Sequence, residues 1–266
     1  MSEVDTPVRR GPGAWITLAL IGVVAGFLSG FFGVGGGTVI VPALVFFAGF
    51  GQRLATGTSL AAIVFPAIAG LIGYAQSGHV DWIAGLLIAA GAIVGAQIGS
   101  WLLHKLPVAV LRWIFVGFLL VVGIQLLFTV PDRTAVFELT PLLGVLLVVL
   151  GFFTGILAGL IGVGGGIIVV PVLTVFFGVS DLVAKGTSLF MILPTSASGT
   201  VSNLKRKNAD LPAALVIGGV AVAASIGGVA VAQVSDPQVA SILFGIFVVL
   251  LIVRMVVHAI RGRGKA

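Results

Sequence analysis

The sequence predicts an all-α polytopic membrane protein made of two inverted-topology repeats, each of about five hydrophobic segments with a short broken or re-entrant half-helix after a glycine knot. Three observations carry this prediction. Hydrophobic residues make up 59% of the chain and charged residues 8%, and the mean hydropathy is +1.28. That is too apolar for a water-soluble globule of 266 residues, and several uncharged runs approach or exceed the roughly 18 residues that span a bilayer. The knot Gly33-Val34-Gly35-Gly36-Gly37 recurs as Gly162-Val163-Gly164-Gly165-Gly166, 129 residues later. Lys and Arg fall on one side of the membrane only if the two halves face opposite ways.

The apolar runs are 14–32, 38–50, 57–77, 82–103 and 108–130 in the first half, and 141–161, 167–179, 186–203, 211–234 and 239–257 in the second. They are continuously apolar and rich in Leu and Ala instead of alternating, so they read as helices and not as barrel strands. Residues 1–13 form a cytoplasmic tail, 14–130 repeat one, 131–140 an extracytoplasmic linker, 141–258 repeat two and 259–266 a second cytoplasmic tail. The duplication is dense. Residues 26–42 match 155–171 at 10 of 17 positions, and the same offset superposes Gly57-Thr58-Ser59-Leu60 on Gly186-Thr187-Ser188-Leu189 and Asp81 on Asp210.

With the N-terminus in the cytoplasm, twelve of the fourteen Lys and Arg lie inside; Arg133 and Lys185 are the exceptions. Asp81, Asp132, Glu138, Asp181 and Asp236 fall outside. Equivalent loops then occupy opposite faces, with Lys205-Arg206-Lys207 inside where 76–79 is outside, the arrangement of many secondary transporters. The expected location is a membrane crossed several times, with both termini cytoplasmic. The formal charge of +6 is accounted for by lipid and topology, so membrane lipid is an expected partner and nucleic acid is not. A homo-oligomer is left open. The chain has no cysteine, which removes disulfides and thiolate metal sites.

The second run of each half has 13 residues, about 20 Å as a helix, too short to cross a core of about 30 Å. It either crosses jointly with its neighbour or turns back. Irregular backbone at membrane depth marks a cavity, and glycine leaves backbone N–H groups open to a ligand. If Thr38 and Ile167 begin the short helices, two positive dipole ends aim at one site, which suits an anion. The candidate binding residues are therefore Gly33, Gly35, Gly36, Gly37, Thr38, Gly162, Gly164, Gly165 and Gly166. Gly26, Gly30, Gly155 and Gly159 read as packing contacts. The knots do not match a dinucleotide fingerprint, and Ala184-Lys185-Gly186-Thr187 lacks P-loop spacing.

The Gly-Thr-Ser blocks open the third run of each half, so Thr58, Ser59, Thr187 and Ser188 can bind substrate, cap a helix or join helices. Lys185 stands where the first half has Thr56, a positive charge that breaks the symmetry; it either meets the anion or snorkels to the outer interface. Gln97 in mid-span can add polar lining. Thr195, Ser196, Ser198, Thr200, Ser202 and Asn203 read mainly as interhelical hydrogen-bonding groups. His79, His104 and His258 sit at run ends with no metal-ligand clustering. No metal and no cofactor are expected.

The doubled pattern of Gly26 to Pro42 with Gly57 to Leu60, and Gly155 to Pro171 with Gly186 to Leu189, resembles the TauE/SafE family, also called the toluenesulfonate uptake permease family. The resemblance spans nearly the whole chain. It implies an inner-membrane transporter of small sulfur-containing anions such as sulfite, sulfoacetate or other organosulfonates.

No carboxylate lies inside a run, so no Asp/Glu proton relay is apparent. An exported negative charge gains about 2.3 kcal/mol per 100 mV, so export by alternating access needs no coupling ion. An anion channel and an organosulfonate importer are the alternatives. A membrane-embedded enzyme would need convergent His, Asp or Glu within the runs, and these are absent.

Overall fold

In the computed structural model, residues 11–102, 117, 120 and 140–262 are described. The expected run 108–130, the linker, Arg9, Arg10, Lys105, Arg112, Arg133, Asp132, Glu138, Arg263, Lys265, His104 and the side chain of His258 lie outside them, apart from helical positions 117 and 120.

Among the described residues nine helices follow one another: α1 (Pro12–Phe32), α2 (Gly37–Phe47), α3 (Gln52–Gln76), α4 (Trp82–Leu102), α5 (Pro141–Ile161), α6 (Gly166–Val175), α7 (Asp181–Lys205), α8 (Leu211–Val234) and α9 (Pro237–Gly262). The first four helices of each half start 129 residues apart, which is the offset of the knots. Five of them, α1, α3, α4, α5 and α8, are long and apolar enough to cross a membrane. Helix α7 is as long as α3 but carries the polar run from Thr195 to Asn203, so its burial comes from its neighbours and not from its hydropathy.

Helix starts follow local rules. Thr140 caps α5 by accepting from Leu143 N, with Pro141 at the first position. Asp81 and Asp210, aligned by the repeat, accept from Ala84 N at 2.9 Å and Ala213 N at 3.1 Å at the starts of α4 and α8. Both third helices begin five residues before the expected runs, so the Gly-Thr-Ser blocks sit in the second turn of α3 and α7 and cap neither start.

Glycine ladders set the packing. A methyl group added at Gly22, Gly26 or Gly30 of α1 would lie 2.5, 2.4 or 2.1 Å from the carbonyl oxygens of Ile217, Ala221 and Ser225 on α8. The numbers rise together, so α1 and α8 run parallel. The second half repeats this: Gly151, Gly155 and Gly159 of α5 meet Ile88, Ala92 and Ala96 of α4. Without a Cβ the backbones touch, and dispersion between them replaces a hydrophobic drive that lipid does not provide. The packing roles expected of Gly26, Gly30, Gly155 and Gly159 are those observed.

The equivalent helices α3 and α7 pack at the centre and run antiparallel. Gly57 faces Asn203 and Asn208, Leu60 faces Gly199, Gly70 faces Leu189, and Tyr74 faces Gly186, so one number falls as the other rises. Two halves in opposite orientations require this pairing. It places Arg53 of α3 at the end of the bundle that also carries Lys205, Arg206 and Lys207; His79, Asp81 and Asp181 lie at the other end.

Candidate functional site

Each knot is a hairpin turn. Gly33 and Gly162 end α1 and α5 in the left-handed region, and Gly36 and Gly165 precede α2 and α6 in the same region. With Gly35 and Gly164 this makes three positive-φ residues per knot, between 71° and 87°. Side chains at these φ values cost about 1–2 kcal/mol per residue, which is why glycine occupies them.

The short helices turn back. Gly36 lies against Ala25, two turns up α1. Helix α1 starts at the end of the bundle where α8 starts, and α3 starts there too, beside Asn208. The chain thus runs up α1, reverses at the knot and returns down α2 before α3 crosses. Between the two routes left open by the sequence, the geometry takes re-entry. At 11 and 10 residues the half-helices are shorter than the expected 13.

The two knots then meet. A methyl at Gly37 would sit 2.6 Å from the Gly162 carbonyl oxygen, and one at Gly166 would sit 2.7 Å from that of Gly33. Gly35 faces Ile192 of α7 and Gly164 faces Ile63 of α3, two side chains related by the same offset. Residues 33–38 and 162–170 are all buried, with Val34, Val163, Ile63 and Ile192 closing the centre. Two half-helix N-termini therefore converge as expected, with buried side chains between them. An open depression of about 380 Å³ lies at the surface, between Gly78–Ile83 and Val179–Val183.

The Gly-Thr-Ser blocks lock the knots in reciprocal fashion. Ser59 Oγ donates to Gly162 O and Ser188 Oγ donates to Gly33 O, each at 2.9 Å and fully buried. Thr58 Oγ1 accepts from Asp210 N and Thr187 Oγ1 accepts from Asp81 N, again at 2.9 Å. In this arrangement all four hydroxyls join one half to the other. Ser59→Ala and Ser188→Ala should each cost about 1–3 kcal/mol, the penalty for a buried carbonyl stripped of its donor. Thermal unfolding in detergent should show similar losses for the two variants; a large loss in only one would break the equivalence.

Lys185 does not take the snorkelling position that one sequence reading gave it. It lies within α7, 3% exposed, with Nζ 2.9 Å from Asp181 Oδ2 and 5.7 Å from the centre of the Phe31 ring. It does not snorkel: its Cα and Cβ pack against Gly33 of the knot. Asp181, expected in an outer loop, is 5% exposed in the first turn of α7. The equivalent residues in α3 are Gln52 and Thr56, and Thr56 packs on Gly162 as Lys185 does on Gly33.

Gln97 is not brought to the knots: it is exposed on α4, two positions from the glycine ladder. The polar run of α7 bonds within its own helix where bonds are seen, Thr195 Oγ1 to Met191 O and Asn203 Nδ2 to Gly199 O, and not across helices. Thr38 Oγ1, in the first turn of α2, is buried with no hydrogen-bond partner among the described residues. Sequence reasoning missed Tyr74, whose hydroxyl donates to Gly30 O at 2.8 Å just before the knot, and missed Ile63 and Ile192. The repeat offset flags the two isoleucines; nothing local flags Tyr74. Among the described residues no group of His, Asp or Glu has metal-ligand spacing.

A family model described as "Sulfite exporter TauE/SafE" matches residues 2–126 and 147–266, one stretch per half. The chain belongs to the TauE/SafE family. This TauE/SafE protein is 27% identical to the probable membrane transporter protein YunE of Bacillus subtilis, over 72% of this chain and 78% of that one. It is 30% identical to a probable membrane transporter protein of Methanocaldococcus jannaschii, covering 70% and 71% of the two chains. A probable membrane transporter protein of Haemophilus influenzae is also 30% identical, over 69% and 71%. No solved structure matches the chain. Family membership and the helical bundle together make it a multi-pass membrane protein of a transporter family.

Proposed function

We propose that this TauE/SafE protein is a secondary transporter of small sulfur-containing anions, sulfite or organosulfonates, carried by alternating access past the paired knots. One observation carries the reading. Two half-helices begin at left-handed glycines, side by side at the centre of the bundle, each seated on the other's knot. Such starts present backbone N–H groups and the positive end of the helix dipole to an anion. The unpartnered hydroxyl of Thr38 supports the same site. Gly33, Gly35, Gly36, Gly37, Thr38, Gly162, Gly164, Gly165 and Gly166 are the residues we assign to it, with Lys185 as the adjacent charge. Ser59 and Ser188 position the knots, and Thr58 and Thr187 tie α3 and α7 to the starts of α8 and α4.

In the closed arrangement Ile63 and Ile192 fill the space between the knots, so admitting an anion requires α3 and α7 to draw apart there. The reciprocal serine bonds link each knot to the third helix of the other half, so each knot is carried with that helix when α3 and α7 move. Proteoliposomes with a clamped potential should show saturable flux of sulfite or a sulfonate and not of chloride at equal concentration. Unitary currents without saturation would make it a channel, and no flux of any anion would remove the reading.

We further propose the inner membrane, with the Arg53 and Lys205–Lys207 end cytoplasmic, from the charge distribution. Cysteines introduced at exposed Gln76 and Arg206 test this in a chain with none of its own. The first should react with an impermeant maleimide from outside and the second should not. The opposite labelling pattern would invert the protein.

A further inference from the structure

Asp181 and Lys185 are the only charged residues buried among the described ones, and they are present in one half only. A buried ion pair is a weak structural device, because well-packed neutral groups commonly stabilise as well or better. In the other half the uncharged Thr56 alone holds the equivalent place against the knot, and Gln52, at the position of Asp181, is exposed. The pair lies one turn from Ser188, which holds Gly33 O, and its ammonium stands beside Phe31 in the last turn of α1.

We infer that Asp181 is a built-in competitor for the substrate anion at Lys185, and that an anion binding there is accompanied by uptake of one proton on Asp181. This rests on the transporter reading and supplies its coupling. An anion entering beside the neutral pair leaves an uncompensated negative charge in a buried site. Once the ammonium turns to the anion, the Asp181 carboxylate has lost its counter-charge while still shielded from water, and the neutral acid becomes its stable form. Anion and proton then enter and leave together. The expectation of uncoupled export rested on there being no carboxylate within the helices; Asp181 removes that premise, and direction follows the combined anion and proton gradients.

Among the described residues the titratable groups on the elements packed around the pair include Tyr74 of α3, whose hydroxyl is held by Gly30 O, and His79 and Asp81 of the α3–α4 loop. The His79 carbonyl lies against Gly186, and Asp81 is bound through its N–H to Thr187 and through its carboxylate to Ala84 N. Of these His79 is the group whose ordinary titration falls nearest neutral pH.

The test is proton uptake on binding, read by an indicator dye in weakly buffered solution of the purified protein, with affinity measured by calorimetry. The probes are methanesulfonate and sulfate, whose charge is fixed near neutral pH, whereas sulfite itself exchanges a proton between its monoanion and dianion there. The wild type should take up about one proton per anion, and its affinity should rise up to about tenfold for each unit the pH falls. Asp181→Asn should bind at least about tenfold more tightly at neutral pH, with no proton uptake and a flat pH profile. Because that variant leaves a buried lysine without its carboxylate, the double variant D181Q/K185T is the second arm. It carries the uncharged residues found at these two positions in the first half, and should insert normally, bind at least about tenfold more weakly than wild type, and take up no proton. His79→Gln should keep the uptake. Binding to wild type without proton uptake, a wild-type pH slope in Asp181→Asn, loss of uptake in His79→Gln, or failure of both probes to bind would each overturn the inference. If sulfite flux persists in such a case, the transporter reading stands; if no anion is carried at all, both fall.

Discussion

Gly37→Ala and Gly166→Ala should each lower anion flux at least tenfold, although each adds one methyl group. Both residues have ordinary helical φ values, so backbone strain is not the cause. The obstacle is main chain: the new Cβ would lie 2.6 Å from Gly162 O in the first variant and 2.7 Å from Gly33 O in the second. No rotamer relieves a clash with a carbonyl. The knots must separate by a few tenths of an ångström or more, and overpacking of this kind costs about 1–3 kcal/mol. The same movement breaks the close seat between each half-helix and the opposite knot. Gly35→Ala is the informative contrast. Its methyl would meet the end of Ile192, Cδ1 at 2.9 Å, so Ile192→Val should recover part of the loss, leaving only the strain of φ +77°. Flux per folded protein in proteoliposomes decides this: wild-type rates in Gly37→Ala would show that the knots are not seated on each other during transport.

Gly30→Ala and Gly159→Ala should each produce a large loss of stability. Each places a methyl within 2.1 or 2.5 Å of a carbonyl on the parallel partner helix, from Ser225 and Ala96. Relief requires the whole pair α1/α8 or α4/α5 to move apart, because these contacts recur on every turn, and separation forfeits dispersion along the full ladder. The cost should reach or pass the upper range of overpacking, about 3 kcal/mol. Gly219→Ala in exposed α8 is the control. Nothing lies within 4 Å of its new methyl, and alanine's better helix propensity predicts unchanged or slightly raised stability, by up to about 1 kcal/mol. Thermal unfolding in detergent should separate Gly30→Ala and Gly159→Ala from Gly219→Ala by several degrees at least. Equal midpoints for all three would mean that the ladders do not bear on stability.

Much of this architecture is legible in the sequence because its determinants are local. Continuous apolar runs specify helices whatever surrounds them, and the starts of α5 and α8 follow from Thr140-Pro141 and Asp210-Leu211-Pro212. The knots are equally local, since three left-handed positions in five residues admit little but glycine. A repeat of 129 residues then states that whatever one half builds, the other builds as well.

What tertiary structure alone decided is which groups meet. Ser59 and Gly162 are 103 residues apart, and Thr58 and Asp210 are 152 apart, so no spacing rule connects them. Nor could the sequence say whether the half-helices cross or return, since 13 apolar residues serve either course. Lys185 shows the limit most sharply. Its i, i+4 spacing from Asp181 is written in the chain, and such pairs are common on exposed helix surfaces. Only the packing of α1, with Phe31 and Gly33 against α7, turns that pair into a buried one. Helical periodicity and backbone sterics act over a few residues and can be read directly. Burial is a property of the neighbours a residue acquires, and here those neighbours come from the other half of the chain.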